Sequence, residues 1–366
     1  MHASDALAEA DRLMTVCNSC RYCEGLCAVF PAMELRRAFA DGDLAYLANL
    51  CHACGACYID CQFSPPHPFD VNVPKVLADV RAGSYAAYVW PAAFAGLFAR
   101  NGLAISLVAA FSVAAFLIGF VVCIDPKALL NSHAGDVYAL MPHNVMAALF
   151  GAAFLYALLA LAMGLRNFWA AIGPSSAPMA PSLRQAMRDT AQLRYLDGGG
   201  DGCFNNERRS DRRRLYHHLT FYGFLACFAA TSIATFYHYA LGREAPYPWY
   251  DLPVLLGIAG GIGLTLGPIG LFEAKRARDA TLRATGQLGM EVAFIVMLLA
   301  TGLTGLALLI LRDTVAMGVT LAVHLGFVFA FFITMPYGRF VHGLYRFAAL
   351  TRYAQERRAQ EERRAQ

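Results

Sequence analysis

Six apolar runs, at residues 103–124, 144–165, 215–241, 252–272, 290–311 and 316–336, limit what this 366-residue chain can become. Each is close to the ~20 residues that a helix needs to cross the hydrocarbon core of a bilayer. With 58% of the residues hydrophobic and 15% charged, a soluble domain could not hide so much hydrocarbon. The expected fold is therefore mainly α, with a six-helix transmembrane bundle.

Basic residues predict its orientation. Arg166–Arg214 holds nine Lys/Arg, Lys275–Arg283 four and Arg339–Arg364 seven, whereas the alternate loops hold one each: Lys127, Arg243 and Arg312. By the positive-inside rule both termini, the 166–214 loop and the 273–289 loop lie in the cytoplasm of a bacterial-type inner membrane. The net charge of +4 thus argues orientation, not nucleic-acid binding. The first residues carry acidic side chains and no basic-then-apolar secretory signal, so the expected compartment for the N-terminal region is reducing.

Four segments are expected: a cysteine module over 1–72, an interfacial linker over 73–102 with Trp90 among its aromatics, the membrane domain over 103–341, and a charged, solvated cytoplasmic tail over 342–366. Within the 166–214 loop, residues 182–196 can form a helix. The small-residue run from Gly257 to Gly270 reads as helix packing in the fourth span, not a nucleotide loop, since no strand precedes it.

Eight of the eleven cysteines lie within the first 61 residues. Cys17, Cys20, Cys23 and Cys27 follow C-x2-C-x2-C-x3-C, and Cys51, Cys54, Cys57 and Cys61 repeat it. This is the run of bacterial ferredoxins, and its repetition predicts two [4Fe–4S] clusters in an alpha-helical ferredoxin-like module. Three closely spaced thiolates cap three corners of a cube, while the fourth cysteine of each run serves the other cube. The expected sets are Cys17, Cys20, Cys23 and Cys61, and Cys51, Cys54, Cys57 and Cys27. Zinc prefers paired C-x2-C spacings and fits these triple runs poorly. Ala28 and Gln62 stand where ferredoxins carry proline, and Arg36 and Arg37 between the runs read as solvated surface.

Histidines supply a second pattern. His217 and His238 lie toward opposite ends of the third span; His324 and His342 do so for the sixth. Eighteen residues separate the latter two, five turns at 3.6 residues each, so both face one side about 27 Å apart. The antiparallel spans predict His217 with His342 at the cytoplasmic end and His238 with His324 at the outer end, two bis-histidine sites for one or two b-type haems. His133 or His143 could replace an outer ligand, and His218 points away from His217. His52 and His67, beside the cysteines, read as structural. Glu273 and Glu291 could exchange protons with a quinone, although a helix-end charge is the simpler reading.

The stretches "CNSCRYCEGLCAVFPAME", "LCHACGACYIDCQFSPPHPFDVNVP", "LRYLDGGGDGC" and "HHLTFYGFLACFAATSIATFYHY" resemble the tricarballylate/citrate utilisation protein TcuB (CitB) family along nearly the whole chain. The resemblance implies a membrane electron-transfer protein that reoxidises the FAD of a partner tricarballylate dehydrogenase and delivers electrons to quinone through two [4Fe–4S] clusters and b-type haem. The spacing of His324 and His342 also resembles that of the dihaem membrane subunit of respiratory nitrate reductases. No dinucleotide fingerprint or acid/base constellation gives the chain a dehydrogenase site of its own. Two rivals remain: a quinone-linked subunit serving a thiol or disulfide reductase, and a membrane iron–sulfur redox sensor.

Overall fold

Both cysteine runs begin where a helix runs out. Helix α1 (Asp5–Cys20), started by the Ser4 hydroxyl accepting from the Leu7 N–H, ends on Arg21 at φ 56°, and α2 (Val29–Glu34) follows the run. Helix α3 (Asp41–Leu50) carries Asp41 and Asp43 in its first turn, where carboxylates suit the positive end of the helix dipole. It ends on Cys51; Ala53 (φ 50°) and Gly55 (φ 92°) then turn the chain into α4 (Ala56–Ile59). In the computed structural model these elements belong to the described residues, which are 2–124, 127–173, 177–196, 203–205, 208–210, 212–284, 286 and 288–366.

Helix α5 (Val73–Tyr88) begins at Asn72, whose side chain accepts from the Lys75 N–H at 3.2 Å. Expected as the start of an interfacial linker, it instead packs on α1 and α3 and buries Leu77, Val80 and Tyr85. The prolines before it therefore turn the chain within the cysteine module. The aromatic segment after it is a 3-10 turn, Ala92–Phe98, that leaves Phe94 and Leu97 exposed.

Six helices are long and apolar enough to cross a membrane: α6 (Asn101–Cys123), α7 (His143–Ile172), α9 (Arg212–Leu241), α10 (Leu252–Arg276), α11 (Leu288–Leu311) and α12 (Met317–Thr334), the last continued by a 3-10 turn to Tyr337. Between α7 and α9 lie α8 (Met179–Ala191) and a two-stranded antiparallel ribbon, β1 (Cys203–Asn205) with β2 (Arg208–Ser210). Most of the Asp197–Cys203 motif is outside the described residues.

Helices α9 and α10 pack backbone to backbone. A Cβ on Gly263 would stand 2.7 Å from the Leu219 carbonyl oxygen and 2.9 Å from Gly223 Cα, so the small-residue run does pack helices. Across its other face α9 meets α7, α12 and α13 (Val341–Ala365) through rings: Phe228 on Phe154, and Phe224 on Phe331 and Phe340. Of the six spans, α9 has the smallest share of buried residues.

The C-terminal region departs from expectation. Instead of a solvated tail, α13 is a docked helix that buries Tyr345, Ala349, Leu350 and Tyr353, with Tyr345 stacked on Phe168 of α7 at 4.6 Å. Arg36, read as solvated, is buried: it pairs with Glu356 of α13 at 2.7 Å and with Asp43 at 2.6 Å. Tyr46 donates to the same Glu356 at 2.9 Å. A buried charge needs such partners. Their separation in sequence, 320 residues for Arg36 and Glu356, hid the pair.

Candidate cofactor sites

The eight clustered thiols line two adjacent cavities. One is lined by Cys17, Cys20, Cys23 and Cys61; the other by Cys27, Cys51, Cys54 and Cys57, with Cys57 also reaching the first. The fold thus brings the last cysteine of each run to the other run's cavity. Among the described residues no three Cys, His, Asp or Glu side chains converge as they would on a single metal ion. The thiols stand around cavities. Burial, then repulsion from neighbouring thiolates, pushes Cys17 up to about 12 and Cys23 up to about 11, so both are protonated at neutral pH. Binding iron would displace those protons. The Ala53 N–H donates to Cys51 Sγ at 3.3 Å, and the N–H groups that open α2, Val29 and Phe30, face Cys27.

The cavities differ in surroundings. Around the first, Tyr22 is 71% exposed and Asp60 lies near Cys23. Cys51 in the second is buried, and arginines crowd it. Arg81 Nη1 donates to the Cys51 carbonyl at 2.5 Å, Arg346 Nη2 to the same oxygen at 2.8 Å, and Arg213 Nη2 to the His52 carbonyl at 3.0 Å. Arg278 lies close enough to feel Cys51 and Cys54. His52 is buried and lines the second cavity, and His67 packs between Phe63 and Phe69.

The expected inner histidine pair meets. His217 of α9 and His342 of α13 face each other with ring centroids 6.2 Å apart and planes at 72°. His342 Nδ1 lies 2.5 Å from the Arg339 carbonyl; donating there would leave Nε2 a lone pair, the usual way a ligating imidazole is oriented. Burial, then Arg339 and Arg346, keeps His342 well below the usual imidazole range and therefore neutral. His217 Nδ1 is buried without a hydrogen bond. Two imidazoles sharing one iron, each nitrogen ~2 Å from the metal, would have their centroids about 6 Å apart, so His217 and His342 would suit holding one between them.

The outer pair differs from expectation. His238 stacks on His143, at the start of α7, with centroids 3.5 Å apart and planes at 15°, and Tyr138 and Tyr239 pack edge-on around them. Both Nδ1 atoms are buried without a hydrogen bond, with Glu244 Oε1 4.0 Å from that of His238. His324 instead has its Nδ1 3.0 Å from the Thr304 hydroxyl on α11 and lies against Gly305. The reason is packing: α12 lies on α6, α11 and α7, while the outer end of α9 meets the start of α7. His133 lies in the loop before α7, and the His218 ring leans on Tyr222. Glu291 is paired with Lys275 and, at 3.1 Å, with Arg339.

The arginines were missed from sequence although a signal was present. Arg213 precedes His217 by four residues and Arg346 follows His342 by four. On antiparallel helices both therefore lie one turn toward the same membrane face.

Comparison with known proteins agrees with this layout. The family model described as citrate utilization protein B matches residues 96–363, and that of the citrate utilization protein B Fer4-like domain matches residues 10–87. Citrate utilization protein B of Escherichia coli is 48% identical over 353 residues, covering 96% of this chain and 93% of that protein. No solved structure matches.

Proposed function

We propose that this chain, which belongs to the citrate utilization protein B family, carries electrons from a reduced FAD-dependent tricarballylate dehydrogenase in the cytoplasm to quinone in the inner membrane. Two [4Fe–4S] clusters in the cysteine cavities and b-type haem between His217 and His342 would supply the one-electron carriers; His143 and His238, stacked at 3.5 Å, would have to part to about 6 Å to hold a second haem. His143 takes the place that His324 held in the sequence reading.

The observation that carries this reading is a continuous chain of contacts. Arg346 on α13 bonds the carbonyl of Cys51, and one turn away on the same helix His342 faces His217. Helix α9 repeats the connection, with Arg213 bonded to His52 one turn from His217. The second cysteine set and the inner histidines are thereby held as one rigid unit. Val16, Phe30, Val71 and Val73 give the cavities an apolar wall, and Phe224 and Phe228 occupy α9 between its two histidines, Phe224 packed on Phe331 of α12. Exposed Tyr22 leaves the first cavity within reach of a flavoprotein. The basic loops and the cysteine module gathered at one end of the bundle support cytoplasmic termini.

The test uses full-length protein purified anaerobically in detergent. Reduced flavoprotein should reduce its haem, and added quinone should reoxidise it repeatedly. Reduction without reoxidation by quinone, or no haem in the preparation, contradicts the reading.

A further inference from the structure

Four buried or half-buried arginines from four different segments gather behind one cysteine cavity, around Cys51 and His52, whereas the arginine beside the other, Arg21, is exposed. Arg81 comes from α5, Arg213 from α9, Arg278 from just beyond α10 and Arg346 from α13. Burying guanidinium groups is costly unless negative charge lies close by. Among the described residues Arg81, Arg278 and Arg346 make no salt bridge to a carboxylate. Their hydrogen bonds go to carbonyls, and Arg278 Nη2 and Arg81 Nε are buried without a partner. The acidic groups near them are the Cys51 thiol, shared by all three, the Cys54 thiol beside Arg278 and the Tyr85 hydroxyl beside Arg81 and Arg346. Around the Cys17 cavity Asp60 lies near Cys23, and the guanidinium of that run, Arg21, is exposed to solvent with its Nε on the Asn18 carbonyl at 3.1 Å.

Charge placed this asymmetrically acts on reduction. A cluster with four thiolates is anionic and gains a further negative charge with each electron, so nearby cations favour its reduced form and nearby anions disfavour it. We propose that Arg81, Arg213, Arg278 and Arg346 set the cluster of Cys27, Cys51, Cys54 and Cys57 at a higher potential than that of Cys17, Cys20, Cys23 and Cys61, and so give electron flow its direction. One electron leaves the exposed cluster, which is oxidised, and enters the buried one, which is reduced. No proton moves, because guanidinium keeps its charge. The electron comes from the flavin partner. The proposal rests on the iron–sulfur reading above.

The test is an EPR-monitored potentiometric titration of the full-length protein in detergent. It compares wild type with Arg278→Gln, Arg346→Gln and Arg346→Lys. Arg278 makes no side-chain hydrogen bond through Nη2, so its glutamine variant keeps the local structure should Arg346→Gln fail to fold. Each glutamine variant should shift the distribution of one electron between the clusters about tenfold toward the exposed one, which is ~59 mV on a one-electron couple. One cluster midpoint falls, the other stays, and Arg346→Lys resembles wild type. Two cluster signals with unmoved midpoints overturn the proposal, as does movement of the haem midpoint alone. Wild-type protein without iron and sulfide overturns the parent reading, and the proposal with it.

Discussion

His143 and His238 stack face to face, 3.5 Å between ring centroids, although 95 residues separate them and they start and end different spans. If this pair is the outer haem site, His143→Ala and His238→Ala should each remove the same part of the reduced-minus-oxidised haem band, about half of it. His324→Ala should keep the full band, because His324 is engaged with Thr304. Loss of haem in His324→Ala with retention in His143→Ala would reverse the assignment.

The tie between the cysteine module and the C-terminal helix should be costly to cut. Glu356→Ala leaves the buried Arg36 guanidinium with Asp43 alone and the Tyr46 hydroxyl without its acceptor, a loss of about 1–3 kcal/mol. Trypsin should then cut after Arg357 and Arg358 much faster than in wild type, a result read by mass spectrometry. Unchanged cleavage would mean that α13 stays docked without the pair.

Gly263 and Gly257 lie on the same helix and should respond oppositely. At Gly263 any side chain meets α9 backbone, and Gly263→Val should destabilise the detergent-solubilised protein by roughly 1–3 kcal/mol. Nothing lies within 4 Å of a Cβ at Gly257, so Gly257→Ala should leave the melting temperature unchanged. Equal effects would refute the backbone contact between α9 and α10.

A pH-dependent contact ties the N-terminus to α3. His2 Nδ1 lies 2.6 Å from Asp41 Oδ1 and His2 Nε2 3.3 Å from Asp11. Bonds to Asp41, then Asp11, raise the imidazole above its usual range, and the bond from His2 lowers Asp41. The contribution of His2 is complete below its unfolded value near 6.5 and is lost as pH rises through the raised folded value. That of Asp41 is lost as pH falls below about 4. Protection of the first turn of α1 from hydrogen exchange, corrected for intrinsic rate, should be greatest between these limits. It should become flat in His2→Gln; a wild-type profile equally flat would contradict the contact.

What could be read in advance follows from the range of each signal. Span positions and thiol sets depend on local hydropathy and on a repeated spacing, and the fold keeps both: Cys61 lines the cavity of Cys17, and Cys27 that of Cys51. The inner histidines were legible because an even number of crossings brings like ends together; the 18-residue phase did not apply, since a 3-10 turn at Met335–Tyr337 breaks the helix and puts His342 on α13. The outer pair was not, since phase reports which face of α9 holds His238 but not which helix packs there. Helix α13 was misjudged for a related reason. Its charges look solvated until Glu356 is seen beside Arg36, contributed from the far end of the chain.

The most direct measurement of the central claim is iron and acid-labile sulfide per polypeptide, with EPR, on anaerobically purified wild type and Cys61→Ala. Two clusters require about eight of each in wild type. Crossed ligation predicts that Cys61→Ala retains about half, with the surviving signal that of the Cys51 cavity. Zinc in place of iron, or loss of the Cys51 cluster in Cys61→Ala, would contradict the account.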